Sequence, residues 1–463
     1  METKSDAAPL PASIADSALS GSRLALMGAI WTLAWPAIVT FGLESLVGLV
    51  DMVMVGRLGA EPVAGVGVGT QILYAVSVVM IAVSTGTVAL VARHVGAAEQ
   101  ERAEQVLLQS LYAVGLISLL VAVPVFAWAR QIVAVFGVAP GVVAQGEGYV
   151  RYIMLGMPCA ALFLVIGSGL RGAGDMRTPL FIGAFVNALN IAGNYVLIFG
   201  KLGFPAMGVR GAALASGIAF AVGVVTALVL LRRGTLVLRL HAAHLRPDLG
   251  TARRILAIGN PTALEQLLMQ VGFLLYLSIA ALYGTAAVAA YFIGVRILAL
   301  SFLPGFGFSA AASTLVGQQL GARRPGEAER SGWEANRLAM LFLSAGGLII
   351  FLTARPIARV FIDDPAVIRD AVSFIRILAV AQPLMAADFT LGGALRGAGD
   401  TRFPLWTVIV GFYGARLGFA YLAARVWSLS LTWVWAALLG DYVARASLKA
   451  WRFQSGRWQH ARV

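Results

Sequence analysis

The chain of 463 residues contains a single cysteine, Cys159, set inside an apolar stretch. One thiol excludes a disulfide within the chain and a cysteine-based metal site. Charge is scarce as well. Asp, Glu, Lys and Arg make up 12% of the residues, where a soluble domain has about 25%. The polar segment at residues 1–22 lacks a compact basic start, and the apolar stretch behind it is too long for a cleaved signal peptide. No sizeable polar domain interrupts the apolar blocks, so a soluble receptor or scaffold has no support.

Hydrophobic residues make up 59% of the chain, and the mean hydropathy is +0.83. They run in blocks such as 27–55, 106–128, 212–231 and 338–353. Blocks near or above about 18 apolar residues read as membrane-spanning helices. The blocks predict an all-α membrane protein with twelve helices, near 25–55, 62–90, 105–128, 144–170, 178–199, 208–231, 251–281, 286–314, 333–354, 367–395, 403–424 and 429–450. The net charge of +13 points to membrane orientation rather than to nucleic acid. The tails, loops and adjoining helix ends on one side carry 23 Lys and Arg against 8 on the other. The positive-inside rule then places both termini in the cytoplasm.

The chain also repeats itself. Leu170-Arg171-Gly172-Ala173-Gly174-Asp175 returns as Leu395-Arg396-Gly397-Ala398-Gly399-Asp400, 225 positions later. The same offset pairs Pro36 with Pro261, Gly59 with Gly284, Glu104 with Glu329 and Pro158 with Pro383. One register held this far marks a duplication. Six helices fit in the offset, so both halves enter the membrane in one direction, as a parallel repeat of two pseudo-symmetric six-helix bundles. The expected organisation is a cytoplasmic tail (1–23), an N-terminal lobe (24–231), a basic linker (232–250), a C-terminal lobe (251–450) and a second tail (451–463). The twin Arg-Gly-Ala-Gly-Asp segments read as turns that set helix geometry, with Arg and Asp able to pair across each turn and Thr178-Pro179 able to start the next helix.

Ionisable residues within the apolar blocks are costly, about 2.5–3.5 kcal/mol each at the bilayer centre, and invite a functional reading. Glu44 and Asp51 lie two turns apart on one face of helix 1, beyond Pro36. In helix 7, Glu265 follows Pro261 by one turn, and helix 10 carries Asp388. The prolines remove a backbone hydrogen bond and let these helices bend. Asn190 and Asn194 share a face of helix 5, and Ser216 lies in helix 6. These polar groups suit either coordination around Asp51 or hydrogen bonds between helices. Arg296 and Arg416 are cations in the apolar blocks that could pair with the acids.

Taken together, Trp35-Pro36, Val50-Asp51-Met52-Val53-Met54-Val55-Gly56-Arg57-Leu58-Gly59, the twin turns, and Pro261 with Glu265 resemble the MATE family, the multidrug and toxic compound extrusion antiporters. The resemblance implies export of cationic amphipathic compounds in exchange for H⁺ or Na⁺ by alternating access, without enzymatic activity or a cofactor, by a monomer whose partners are organic cations and membrane lipid, not nucleic acid. It assigns ion coupling to Asp51, Asn190, Asn194 and Ser216, and Glu44 is read as joining them from its place two turns before Asp51 on one face of helix 1. Na⁺, where it is the ion, falls to Asp51, Asn190 and Asn194. Asn194 stands where many bacterial members have an aspartate, and Ser216 where they have a threonine. Substrate contact is assigned to Glu265, Met269 and Asp388, and bending to Pro36 and Pro261. Met269 occupies the position of the helix 7 glutamate of another branch, and Asp388 does not align with that branch's helix 10 aspartate. Two other classes share features with the chain. Gly-x-Gly-Asp also marks intramembrane aspartyl proteases, but both copies here lie in basic turns. A lipid-linked oligosaccharide flippase of the related superfamily would need a cationic cavity, to which Arg296 and Arg416 could contribute.

Overall fold

The computed structural model describes residues 23–240 and 247–461. The proposed tail up to residue 22, the centre of the linker and the last two residues lie outside the described residues. Twelve long helices follow one another: α1 (Arg23–Gly56), α2 (Ala60–Gly96), α3 (Gln100–Ala127), α4 (Pro140–Gly172), α5 (Arg177–Phe199), α6 (Val209–Arg233), α7 (Leu249–Ala280), α8 (Thr285–Gly321), α9 (Pro325–Leu352), α10 (Pro365–Gly397), α11 (Arg402–Val426) and α12 (Leu431–Gln454). No strand occurs among the described residues. In lipid, a helix satisfies its own backbone, which is why an apolar chain of this kind has no alternative to it except a closed barrel.

All twelve predicted spans are present, and most run longer than hydropathy indicates. Hydropathy detects the part that lies in hydrocarbon, whereas the backbone ladder continues into polar turns. At about 1.5 Å per residue, α2 and α8, each 37 residues, exceed the roughly 30 Å core by several turns. Eleven of the helices are long and apolar enough to span a membrane by those measures alone. The exception is α12, which carries Asp441, Arg445, Lys449 and Arg452.

The repeat extends to backbone detail. Short helices Ala129–Ala134 and Ala354–Phe361 begin 225 residues apart. So do the left-handed residues Ala98 and Arg323, at φ 57° and 58°, and Gly174 and Gly399, at φ 91° and 89°. At the last pair a side chain would strain the turn, so glycine is required. Asp175, not Thr178, provides the first-turn acceptor of α5: its Oδ1 accepts from the N–H groups of Arg177 and Thr178 at 3.1 and 2.9 Å. The expected pairing of Arg171 with Asp175 across the turn is replaced by this cap. Thr178 and Pro179 sit one and two residues inside the helix instead.

The chain forms two compact units, residues 39–263 and residues 264–463 joined by the segment before residue 39. The divisions fall inside α1 and α7, each two residues past the helix proline, Pro36 or Pro261. The first part of α7 belongs with α2: a Cβ built on Gly259 would overlap Ala82 O. The first part of α1 belongs with α8, where a Cβ on Gly307 would stand 3.0 Å from Ala34 O. Backbones this close tolerate only small residues. Within unit 39–263, the chain entering α7 is tied to α3: the Asp248 N–H donates to Gln109 Oε1 at 2.9 Å, and the Arg239 N–H to Glu104 Oε1 at 3.0 Å. The other unit repeats the first of these ties in ionic form, with Arg23 Nε donating to Glu334 Oε2 at 3.0 Å.

Candidate functional site

In unit 39–263, α1, α5 and α6 bring the predicted coupling residues together. Asn194 Nδ2 donates to Asp51 Oδ1 at 2.5 Å. The amide of Asn190, one turn earlier on α5, reaches 3.1 Å from the same oxygen at one end and 2.8 Å from Ser216 Oγ at the other. With its nitrogen toward the carboxylate, it donates to Asp51 and accepts from the Ser216 hydroxyl. Asn190 and Asn194 are 5% and 0% exposed, and Val55, Ile198 and Ala212 pack nearby in an apolar cluster. No cationic side chain pairs with Asp51 among the described residues. Asn194 Oδ1 is buried and has no donor there. The centre therefore holds one carboxylate and one unsatisfied amide oxygen, both suited to a proton or a hard cation. Among the described residues no group of three or more His, Cys, Asp or Glu could hold a metal ion.

Glu44 lies two turns before Asp51 on α1 and lines a different space. A cavity of about 230 Å³ within the same unit is bounded by Thr40, Glu44, Phe163, Arg171, Asn187 and Phe220. Arg171, placed by sequence in a turn, is the penultimate residue of α4. Its guanidinium folds back along the helix, donating to Ser168 Oγ at 2.9 Å, and interacts with the charge of Glu44.

The other unit holds a buried chain of charges. Asp388 of α10 meets Lys449 Nζ at 2.5 Å and Arg445 at 3.2 Å. Asp441 meets Arg445 Nε at 2.8 Å and Arg416 Nη1 at 3.8 Å. Arg416 lies in a π-helical part of α11, Ile409–Gly418, with its guanidinium carbon 4.1 Å from the ring centre of Tyr276. All five side chains are 4% exposed or less. In such surroundings an unmatched charge is costly, so the acids and bases stabilise one another. Beside this chain, Glu265 accepts from Arg396 Nη1 at 3.3 and 3.4 Å, and Met269 Sδ lies 4.0 Å from Arg445 Nη1. Arg296 is exposed on α8.

The MatE family model matches the chain twice, over residues 36–196 and again over residues 261–422. The chain belongs to the MatE family. The two matches begin 225 residues apart, the register seen in the sequence. Relatives cover nearly the whole length. A probable multidrug resistance protein NorM of Thermotoga maritima is 32% identical over 93% of each chain. The multidrug resistance protein PmpM of Pseudomonas aeruginosa is 28% identical over 84% of this chain and 82% of its own. Among solved structures, a MOP superfamily transporter from Pyrococcus furiosus superposes with a TM-score of 0.86 at 24% identity, covering 93% of this chain and 97% of the other. That likeness shows the shared twelve-helix, two-repeat fold. The MatE chain is thus a multi-pass membrane transporter.

The sequence brought out Asp51, Asn190, Asn194 and Ser216 as one cluster, and the structure brings them together. Glu44 stands apart from it. Asp388 is enclosed by Lys449 and Arg445, which, like Asp441, sequence reasoning did not single out as a site. The missed signal is the spacing 441, 445, 449: three charges one turn apart on one face of an apolar helix. The buried cations Arg416, Arg445 and Lys449 are engaged by acids or aromatic rings, so they do not form the open cationic cavity that a pyrophosphate headgroup requires.

Proposed function

We propose that this chain is a secondary multidrug efflux antiporter of the bacterial inner membrane, with both termini in the cytoplasm. It acts as a monomer and exchanges cationic amphipathic compounds for H⁺ or Na⁺ by alternating access. The names of its relatives support multidrug efflux. The observation that carries the coupling is Asp51, a carboxylate held by two buried amides with no cationic partner among the described residues. A lone negative charge away from water is unfavourable, so the site gains by taking a proton or Na⁺. The buried Asn194 Oδ1 gives a bound cation a second oxygen, and Ser216 fixes the orientation of the Asn190 amide.

Glu265 and Met269, one turn apart on α7, supply a charge and an apolar contact for an organic cation. Asp388 acts behind them, through Lys449 and Arg445. Coupling requires ion and substrate to prefer different states of the transporter or to exclude one another. The test is dye efflux from proteoliposomes under separately imposed pH and Na⁺ gradients. The expected result is efflux driven by at least one gradient and lost in Asp51→Asn; efflux under neither gradient sinks the proposal.

A further inference from the structure

The twin turns contribute an arginine to each unit, and both arginines are used alike. Arg171 and Arg396 end α4 and α10 at equivalent positions. A basic side chain at a helix end usually reaches outward to water. These two turn back along their own helices, each over a glycine four residues earlier. A Cβ built on Gly167 would lie 3.3 Å from Arg171 Nη1, and one on Gly392 would lie 3.4 Å from Arg396 Nη2. A serine completes each cradle, Ser168 at 2.9 Å from Arg171 and Ser309 at 3.5 Å from Arg396. Each guanidinium shares its space with a carboxylate that follows a helix proline, Pro36 in α1 or Pro261 in α7. Arg396 meets Glu265 at 3.3 Å, and Arg171 shares its cavity with Glu44.

The acids do not occupy equivalent positions. Glu44 aligns with Met269, and Glu265 with Thr40. The arginine and its glycine stay fixed between the repeats while the acid shifts by one turn, yet each arginine keeps an acid beside it: Glu265 in contact with Arg396, and Glu44 on the wall of the cavity that Arg171 also lines. The contact at Glu265 is also long beside the 2.5 Å pair of Lys449 and Asp388. A long, partly solvated pair is the weaker kind and is the easier to exchange.

We infer that Arg171 and Arg396 are tethered counter-ions that occupy the carboxylates of Glu44 and Glu265 and compete there with the organic cation. They set how tightly a cationic substrate is held and return to the acid when it leaves. This rests on the proposal that Glu265 is a substrate contact. An acid occupied by a rival for about nine-tenths of the time binds its ligand about tenfold more weakly.

The test measures ethidium binding to the purified full chain by fluorescence anisotropy, with thermal unfolding measured in parallel. Arg396→Gln is expected to tighten ethidium binding about tenfold, and Arg396→Lys, which keeps the charge, to return it toward the starting affinity. In a Glu265→Gln background, Arg396→Gln is expected to change nothing. Unchanged or weaker ethidium binding in Arg396→Gln, whatever its unfolding temperature, overturns the inference, as does equal tightening with Glu265 already neutral. Arg171→Gln against Glu44→Gln repeats the test in the other unit. A shift in ethidium affinity without gradient-driven efflux removes the antiport proposal alone; efflux without the shift removes this inference alone.

Discussion

Residues 39–263 and 264–463 are two versions of one helical frame, and they differ most at the buried polar positions. Asp51 aligns with Tyr276, Asn190 with Ala415 and Asn194 with Phe419. Ser216, Phe220 and Val224 on α6 become Asp441, Arg445 and Lys449 on α12, and Phe163 becomes Asp388. One version leaves a carboxylate among neutral amides. The other moves its acids to α10 and α12 and encloses them with Lys449, Arg445 and Arg416. Where Asp51 would lie, it places Tyr276, whose hydroxyl donates to Val434 O at 2.6 Å. The duplicated frame keeps its helices, turns and close glycine contacts while the two interiors acquire opposite electrostatic characters: a carboxylate held by neutral amides, and an ion network whose charges hold one another in place.

The largest effect that would break this contrast is loss of coupling. Asp51→Asn should abolish gradient-driven efflux while the chain still folds, and proteoliposome transport alongside thermal unfolding separates the two. Next is Lys449→Met, which leaves Asp388 with Arg445 as its remaining ionic partner. Breaking a buried pair on one side costs about 3–5 kcal/mol, so the unfolding midpoint in detergent should fall sharply, and adding Asp388→Leu should recover much of it. If Lys449→Met is neutral, the network is not holding its charges as described. Gly392→Ala places a methyl against Arg396 and Lys449; overpacking of this kind costs about 1–3 kcal/mol, and the same measurement checks it. Tyr276→Phe removes one buried hydrogen bond and should cost about 1 kcal/mol with coupling intact; loss of coupling there would show that the units do not divide as proposed.

The smallest effect lies at the entrance to α7. The Thr251 hydroxyl donates to Asp248 Oδ2 at 2.6 Å and the Gly250 N–H to Oδ1 at 2.8 Å. The Thr251 bonds, foremost, hold the Asp248 carboxyl below its usual range. A depressed pKa stabilises the folded end fully above the ordinary aspartate value, and that contribution is lost as pH falls through the folded value. Amide protection factors at Gly250 and Ala252 should therefore fall on acidification, and Asp248→Asn should remove the pH dependence. The corresponding chain entry into α1 has Arg23 at the position of Asp248, paired with Glu334.

Much of this was legible in the residues. The twelve helices followed from apolar length, and the duplication followed from identities at one offset, because both are properties of the chain read in order. The Asp51 cluster was legible because buried polar residues are rare enough in apolar helices to stand out. The network on α12 was harder to see: Arg445 and Lys449 lie near a chain end rich in basic residues and read as surface charge. Arg171 and Arg396 were obscured by the glycine turns beside them, which place them at helix ends without showing which way the guanidinium folds.

The sequence by itself determined the number of helices, the repeat register and the acids that had to be accounted for, since hydropathy and periodicity are local quantities. Only the tertiary structure decided which charges are matched, and that α1 and α7 each change units beyond a proline. A charge is matched by whatever lies within a few ångströms, and that neighbour comes from a helix tens or hundreds of residues away: Asn194 for Asp51, Lys449 for Asp388, Arg396 for Glu265.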